Sequence, residues 1–247
     1  MEVRDDGREF FMVRKRVITC VVNAIFAFSL LGLWHLSQTL LEHSKKSLGG
    51  ISYDRGHVWL QPVNDFLHNH TTIANAVLII TSAHVDIVLV GMALWGIFGK
   101  TLRPLLCILF LLIFRECSQF LVSAPIPVGM IWNYPGFPSL IVTYYTSLDF
   151  FFSGHTGSAT LSVLEIGRRH YKNKILLIVA ILLLFMEVFC ILSMRFHYTA
   201  DVITGIFAAA TAFQLAVYLS PATDKLLQKF INKIVRDSSP RPYENIP

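Results

Sequence analysis

Residues 175–219 read ILLIVAILLLFMEVFCILSM-RFHYT-ADVITGIFAAATAFQLAVYL, two runs of mostly apolar side chains around Arg195, Phe196, His197, Tyr198 and Thr199. A helix rises 1.5 Å per residue, so about 20 such residues match the ~30 Å hydrocarbon core of a bilayer. Ile175–Met194 and Ala200–Leu219 are therefore each predicted to span a membrane, with the residues between them at one face. Ionisable groups are expensive in such surroundings. A histidine at 197 and an aspartate at 201 point to a functional site.

Outward from this pair, the same pattern predicts four further spans: Val17–Leu41, Ile73–Phe98, Leu105–Ser123 and Ser153–Gly167. The last has about 15 residues, or about 22 Å, and is expected to start below the membrane surface in a protein-lined cavity. Whole-chain composition agrees. Charged residues make up 15% and mean hydropathy is +0.56, whereas a soluble domain carries about 25% charged residues. The expected fold is all-α, a polytopic membrane protein with six transmembrane helices. Val17–Leu41 is too long for a signal core and lacks a small-residue cleavage site.

Sixteen lysines and arginines fall in the N-terminal tail, the second and fourth connections and the C-terminal tail, against four in the opposite connections. That imbalance predicts both termini in the cytoplasm and the histidine-bearing connections on the exoplasmic side. Three segments follow: a basic tail over 1–16, a six-helix catalytic domain over 17–220, and a cytoplasmic tail over 221–247. Within the last, 224–236 has the pattern of an amphipathic helix on the membrane surface. The net charge of +5 sits at helix ends, where anionic lipid headgroups explain it better than nucleic acid. The four cysteines lie in apolar runs without metal-motif spacing. No His, Cys or carboxylate cluster has metal-site spacing either, so no metal and no cofactor are expected.

Two polar clusters carry the chemistry. Ser153-Gly154-His155-Thr156 opens the short fourth span, and His197 with Asp201 opens the sixth. Four residues apart on a helix, His197 and Asp201 would share a face. A carboxylate on one imidazole nitrogen leaves the other as a nucleophile. His155 is then the general acid for the departing alkoxide. Ser153 and Gly154 supply a helix N-terminus suited to phosphate. Arg115 is the candidate phosphate-binding cation, with Glu116 and Glu187 at similar depth, and Arg195 stands two residues before His197. The third connection is aromatic, and Tyr144 and Tyr145 are candidates to hold a quaternary ammonium group by cation–π attraction. His84 and Asp86 have no assigned role.

These motifs resemble the type-2 phosphatidic acid phosphatase superfamily, and more closely its phosphocholine-transferring branch. That branch holds the sphingomyelin synthases and the phosphatidylcholine:diacylglycerol cholinephosphotransferases. Ser153-Gly154-His155-Thr156 matches its S-G-H-T core, and His197-Tyr198-Thr199-Ala200-Asp201-Val202 matches H-Y-T-x-D-V. Asp149 fits the acidic position of the longer C-G-D-x-x-x-S-G-H-T form, although Ser147 and Leu148 depart from its Cys and Gly. Pro62-Val63-Asn64-Asp65 is similar to P-L-P-D without the second proline. The general phosphatase pattern K-x6-R-P is missing, because Lys100–Pro104 is too short and lies on the other side. That pattern's Arg, five residues before the nucleophile, is Leu192 here.

The resemblance implies a metal-independent transfer of phosphocholine through a phosphohistidine. The donor would be a choline phospholipid, and the acceptor a lipid alcohol such as diacylglycerol or ceramide. Two alternatives stay open. One is a lipid phosphate phosphatase or phospholipase C-type hydrolase of the same fold; the other is a membrane transporter or lipid-binding protein.

Overall fold

The computed structural model describes residues 6–44, 53–122, 124–144, 151–170 and 172–237. The described residues form eight helices: α1 (Asp6–Ser44), α2 (Arg55–Trp59), α3 (Gln61–Asn69), α4 (Thr71–Phe98), α5 (Arg103–Leu121), α6 (Gly154–Arg169), α7 (Lys174–Met194) and α8 (Thr199–Asp237). The described residues contain no strand. The described part of the protein is all-α, and five of these helices are long and apolar enough to cross a membrane: α1, α4, α5, α7 and α8. The sixth expected span, α6, has 16 residues and falls short of that length. Its first turns are closed inside protein: Thr156, Gly157, Ser158, Ala159, Thr160 and Leu161 are all buried.

Two apolar clusters hold the bundle. Leu111 of α5, Leu161 of α6 and the small residues Ala209, Ala212 and Ala216 of α8 share one. Alanine on the facing stripe lets helix backbones approach closely, the usual basis of packing where lipid supplies no hydrophobic drive. Leu78 of α4, Ile191 and Met194 of α7, Phe196 of the α7–α8 connector and Val202 of α8 form the other.

Two boundaries differ from expectation. The basic N-terminal tail is continuous with the first span, since α1 starts at Asp6. Residues 224–236 are helical, but as the continuation of α8 rather than as a separate surface helix. Pro221 lies inside that helix and cannot donate to the carbonyl four residues back. Ser220 Oγ donates to that Val217 oxygen at 3.4 Å instead. Beyond the proline, Asp224 accepts the Leu102 N–H at 2.7 Å, and Ile231 and Val235 are buried. Their burial argues against a freely lying anchor.

At one end, Arg103 of α5 donates twice to Glu165 of α6, at 2.9 and 2.7 Å, in fork geometry. Arg169 lies 3.9 Å from the ring centre of Trp95 nearby. At the other end α6 and α8 begin side by side. The Ser153 N–H donates to the Asp201 carbonyl at 3.1 Å, and Thr204 Oγ1 donates to Phe151 O at 3.1 Å. Gly205 makes this approach possible: a Cβ there would stand 2.7 Å from the Ser153 carbonyl oxygen. This docking is what brings the two histidine motifs together.

Candidate active site

α6 starts on a Ser153 cap. Its Oγ accepts from the Thr156 N–H at 3.2 Å, and Ser153 itself is fully buried. This serine caps the helix start and does not itself line the cavity. Gly154 and His155 do line it. Their N–H groups belong to the first turn, which has no intrahelical acceptors. The His155 ring is buried, and its Nε2 is shut from solvent with no hydrogen-bond partner.

α7 ends at Arg195, which adopts the left-handed conformation (φ 59°). Phe196 N–H returns to Ile191 O at 3.1 Å, the closure expected of a left-handed helix cap. His197 follows in the connector. It is thus not on the helix whose face it was expected to share with Asp201. The two meet all the same, with His197 Nδ1 3.4 Å from Asp201 Oδ2. The reason is a cap: the Asp201 carboxylate reaches back to the Tyr198 N–H at 2.9 Å, one half of a capping box. Nδ1 therefore faces the carboxylate. The rings of His155 and His197 stand 6.4 Å apart at 62°.

Both histidines open onto one cavity, walled by Trp34 of α1, Leu111, Leu112 and Arg115 of α5, and Met130, Trp132 and residues 141–143 of the third connection. Arg115 is 4% exposed, donates to Glu116 at 3.0 Å and lies 4.2 Å over the Trp34 ring. A Cβ on Gly154 would stand 3.5 Å from Arg115 Nε. The expected cation is thus beside the helix start, with Glu116 as its companion. Trp132 meets His155 edge-on at 6.3 Å and Phe196 at 4.7 Å.

The other expected groups sit elsewhere. Arg195 turns away from the cavity: its guanidinium donates to Val128 O, to Gln61 Oε1 and, at 3.3 Å, to His57 O. Glu187 is fully buried against His84, 2.9 Å away, and does not line the cavity. Tyr144 lies one layer behind Trp132, ring centres 5.2 Å apart, with its hydroxyl on Ser82 at 2.6 Å. Burial pushes the Tyr144 phenol up from its ordinary value. Asp149 and Tyr145 fall outside the described residues. Asp86 acts at a distance, accepting from Ser139 Oγ and from the Leu140 and Ile141 N–H groups at 2.9–3.1 Å. It pins the strip of chain that walls the cavity.

Sequence reasoning missed Trp34, which one helix away from every motif carries no signal, and Trp132, which it counted only as one aromatic of many. Asn64, quoted only as part of the Pro62–Asp65 motif, is buried and donates to Gly129 O at 3.1 Å and Ser193 O at 2.8 Å. Among the described residues no three His, Cys, Asp or Glu side chains are grouped to hold a metal ion.

Comparison with known proteins bears on the same segment. Residues 148–218 match the PAP2 superfamily C-terminal family, and His155, His197 and Asp201 all lie inside that stretch. No curated protein and no solved structure matches the chain. The matched segment is similar to the C-terminal part of the PAP2 superfamily, whose members are phosphatases or phosphotransferases.

Proposed function

We propose that the protein is a lipid phosphotransferase that moves phosphocholine from a choline phospholipid to an acceptor lipid alcohol. The observation that carries this reading is the meeting of His155, His197 and Arg115 at one helix start within one cavity. His197 Nε2 attacks the phosphorus and a P–N bond forms. The P–O bond to diacylglycerol breaks, and His155 protonates that oxygen. The acceptor hydroxyl then attacks the phosphohistidine, gives its proton to His155 and leaves with the phosphocholine. Asp201 keeps Nδ1 engaged throughout. Arg115 and the Gly154 and His155 N–H groups face the charge that builds on the phosphoryl oxygens, where one such donor contributes about 3–4 kcal/mol to transition-state stabilisation. No step calls for a metal or cofactor.

The full reading has six spans, with α6 as the short one, both termini in the cytoplasm and the site open to the exoplasmic leaflet. The lysine and arginine imbalance supports this orientation. One experiment tests reaction and side together. Sealed vesicles with the termini inside receive labelled phosphatidylcholine in the outer leaflet, with diacylglycerol or ceramide. The expected products are a labelled acceptor lipid and diacylglycerol. Free phosphocholine instead of a labelled lipid would mean hydrolysis. Lipid movement without bond cleavage would mean transport.

Headgroup selection falls to the rings on the cavity wall. Trp34 already lies on Arg115, which leaves Trp132 and Phe196 for a quaternary ammonium group. Trp132→Leu keeps an apolar side chain and removes the π face. A cation–π contact contributes about 0.5–2 kcal/mol, so transfer from choline lipids should fall about two- to thirty-fold. Transfer from a donor without the quaternary ammonium should hardly change. Equal losses on both donors would show that Trp132 only packs against His155.

A further inference from the structure

The connector that carries His197 is gripped from outside the cavity by α2. Asp54 is the cap of this one-and-a-half-turn helix, its Oδ1 accepting the His57 N–H at 3.1 Å. The same carboxylate accepts the Thr199 N–H at 2.6 Å and the Thr199 hydroxyl at 2.7 Å. Thr199 is the first residue of α8, whose opening N–H groups have no partner within their own helix. One carboxylate therefore caps two helices, and its charge lies at the positive end of both dipoles. His57 adds a second hold: its Nε2 donates to the His197 carbonyl at 2.8 Å, and its ring stacks on Tyr198 at 5.4 Å. Tyr198 in turn donates from its hydroxyl to Pro125 O at 2.9 Å.

The fit between α2 and the connector is close. A Cβ on Gly56 would stand 2.2 Å from Thr199 Oγ1, so with threonine at 199 glycine lets α2 seat here. Electrostatics agree with the geometry. Burial raises the Asp54 carboxyl, but the bonds from Thr199 and His57 outweigh it and hold the group below its ordinary value. Burial, then the charges of Asp201 and Asp54, push the Tyr198 phenol up, so it stays a neutral donor.

We propose that α2, through Asp54 and His57, is the positioning device of the nucleophile. It fixes the peptide on either side of Tyr198, and so the line along which the His197 ring meets the phosphorus. The inference rests on His197 being the attacking group. Neither Asp54 nor His57 lines the cavity, so both act through the connector and not on substrate. A displacement of about 1 Å can cost about 10²-fold in rate. Loss of the grip should therefore lower kcat and leave KM nearly unchanged.

The test uses the full-length protein with Cys117, an exposed thiol, replaced by serine. Asp54→Ala should lower kcat about ten- to hundred-fold with KM within about threefold. His57→Leu should act in the same direction, while His57→Gln, which keeps a donor at the Nε2 position, should recover most of the loss. A Cβ on Gly56 would lie 3.6 Å from the Thr199 Cβ, within the disulfide range of about 3.5–4.5 Å. Gly56→Cys with Thr199→Cys, added to Asp54→Ala, should therefore cross-link on oxidation. Activity should rise at least about fivefold on oxidation and fall again on reduction.

The rate at which diethyl pyrocarbonate modifies His197, read by mass spectrometry, needs no turnover. It should rise in Asp54→Ala and fall on cross-linking. If wild-type protein transfers no phosphocholine, the proposed reaction fails, and the His197 modification rates still decide the role of α2. Unchanged kcat in Asp54→Ala, a disulfide that forms without restoring activity, or no disulfide at all would each overturn the proposal.

Discussion

Replacing His197 with glutamine is expected to lower turnover by about 10⁴-fold or more while the protein still folds and binds lipid. Loss of a covalent nucleophile removes both steps of the exchange, and such losses are among the largest that single substitutions produce. Among the described residues the cavity's other imidazole, His155, stands 6.4 Å away, ring to ring, and in this reaction is occupied with proton transfer. Glutamine keeps a side chain of similar reach in a site only 5% exposed, so the connector should hold. Asp201→Asn separates two jobs of one residue. Its amide oxygen still accepts the Tyr198 N–H, so the cap on α8 survives, but the charge facing His197 Nδ1 is gone. Turnover should drop with little change in thermal stability. Wild-type turnover in the His197 variant would remove the histidine from the chemistry.

The second large effect is on stability and lies at the far end of the bundle. Arg103→Met should destabilise the protein by about 3–5 kcal/mol, because it leaves Glu165 as a buried carboxylate without its cation. The Glu165 side chain is 2% exposed and that of Arg103 14%, so water cannot take over. Its remaining contact is the weak one from Cys107 Sγ at 3.5 Å. Arg103→Met combined with Glu165→Leu should recover most of the loss, since an apolar pair of similar volume often replaces a buried ion pair at little cost. Equilibrium unfolding in mixed detergent micelles checks both. A single variant as stable as wild type would show that Glu165 is neutral or solvated. The histidine site should be unaffected either way.

How far the sequence revealed these features depends on the range of the forces involved. Apolar runs disclosed α1, α4, α5, α7 and α8, because lipid demands an unbroken length of such residues from each helix separately. α6 was harder, since its burial comes from α5 and α8 and not from lipid, so its own composition can be small and polar. The His197–Asp201 pair was legible from spacing alone, although the cause is a helix cap and not a shared helical face. Charge was a poor guide to direction. Arg195 was expected to face phosphate, yet a left-handed turn at that residue aims its guanidinium at Val128 O, Gln61 and His57 O. Contacts distant in sequence left no trace. Arg103 with Glu165, Asp54 with Thr199 and Asn64 with Ser193 join segments from 62 to 145 residues apart.

The central claim is a phosphoryl group carried on His197, and one measurement addresses it directly. Purified protein is incubated with phosphatidylcholine labelled at phosphorus, with no acceptor present, then quenched in base, digested and analysed by mass spectrometry. The expected result is phosphocholine on His197 and on no other residue, stable in base and lost in acid. Adding diacylglycerol or ceramide should discharge it into a labelled lipid. His155→Ala should slow both steps, yet still load some label from a donor with a good leaving group. Label on any other residue, or steady transfer to the acceptor with no label ever on His197, would contradict the two-step exchange.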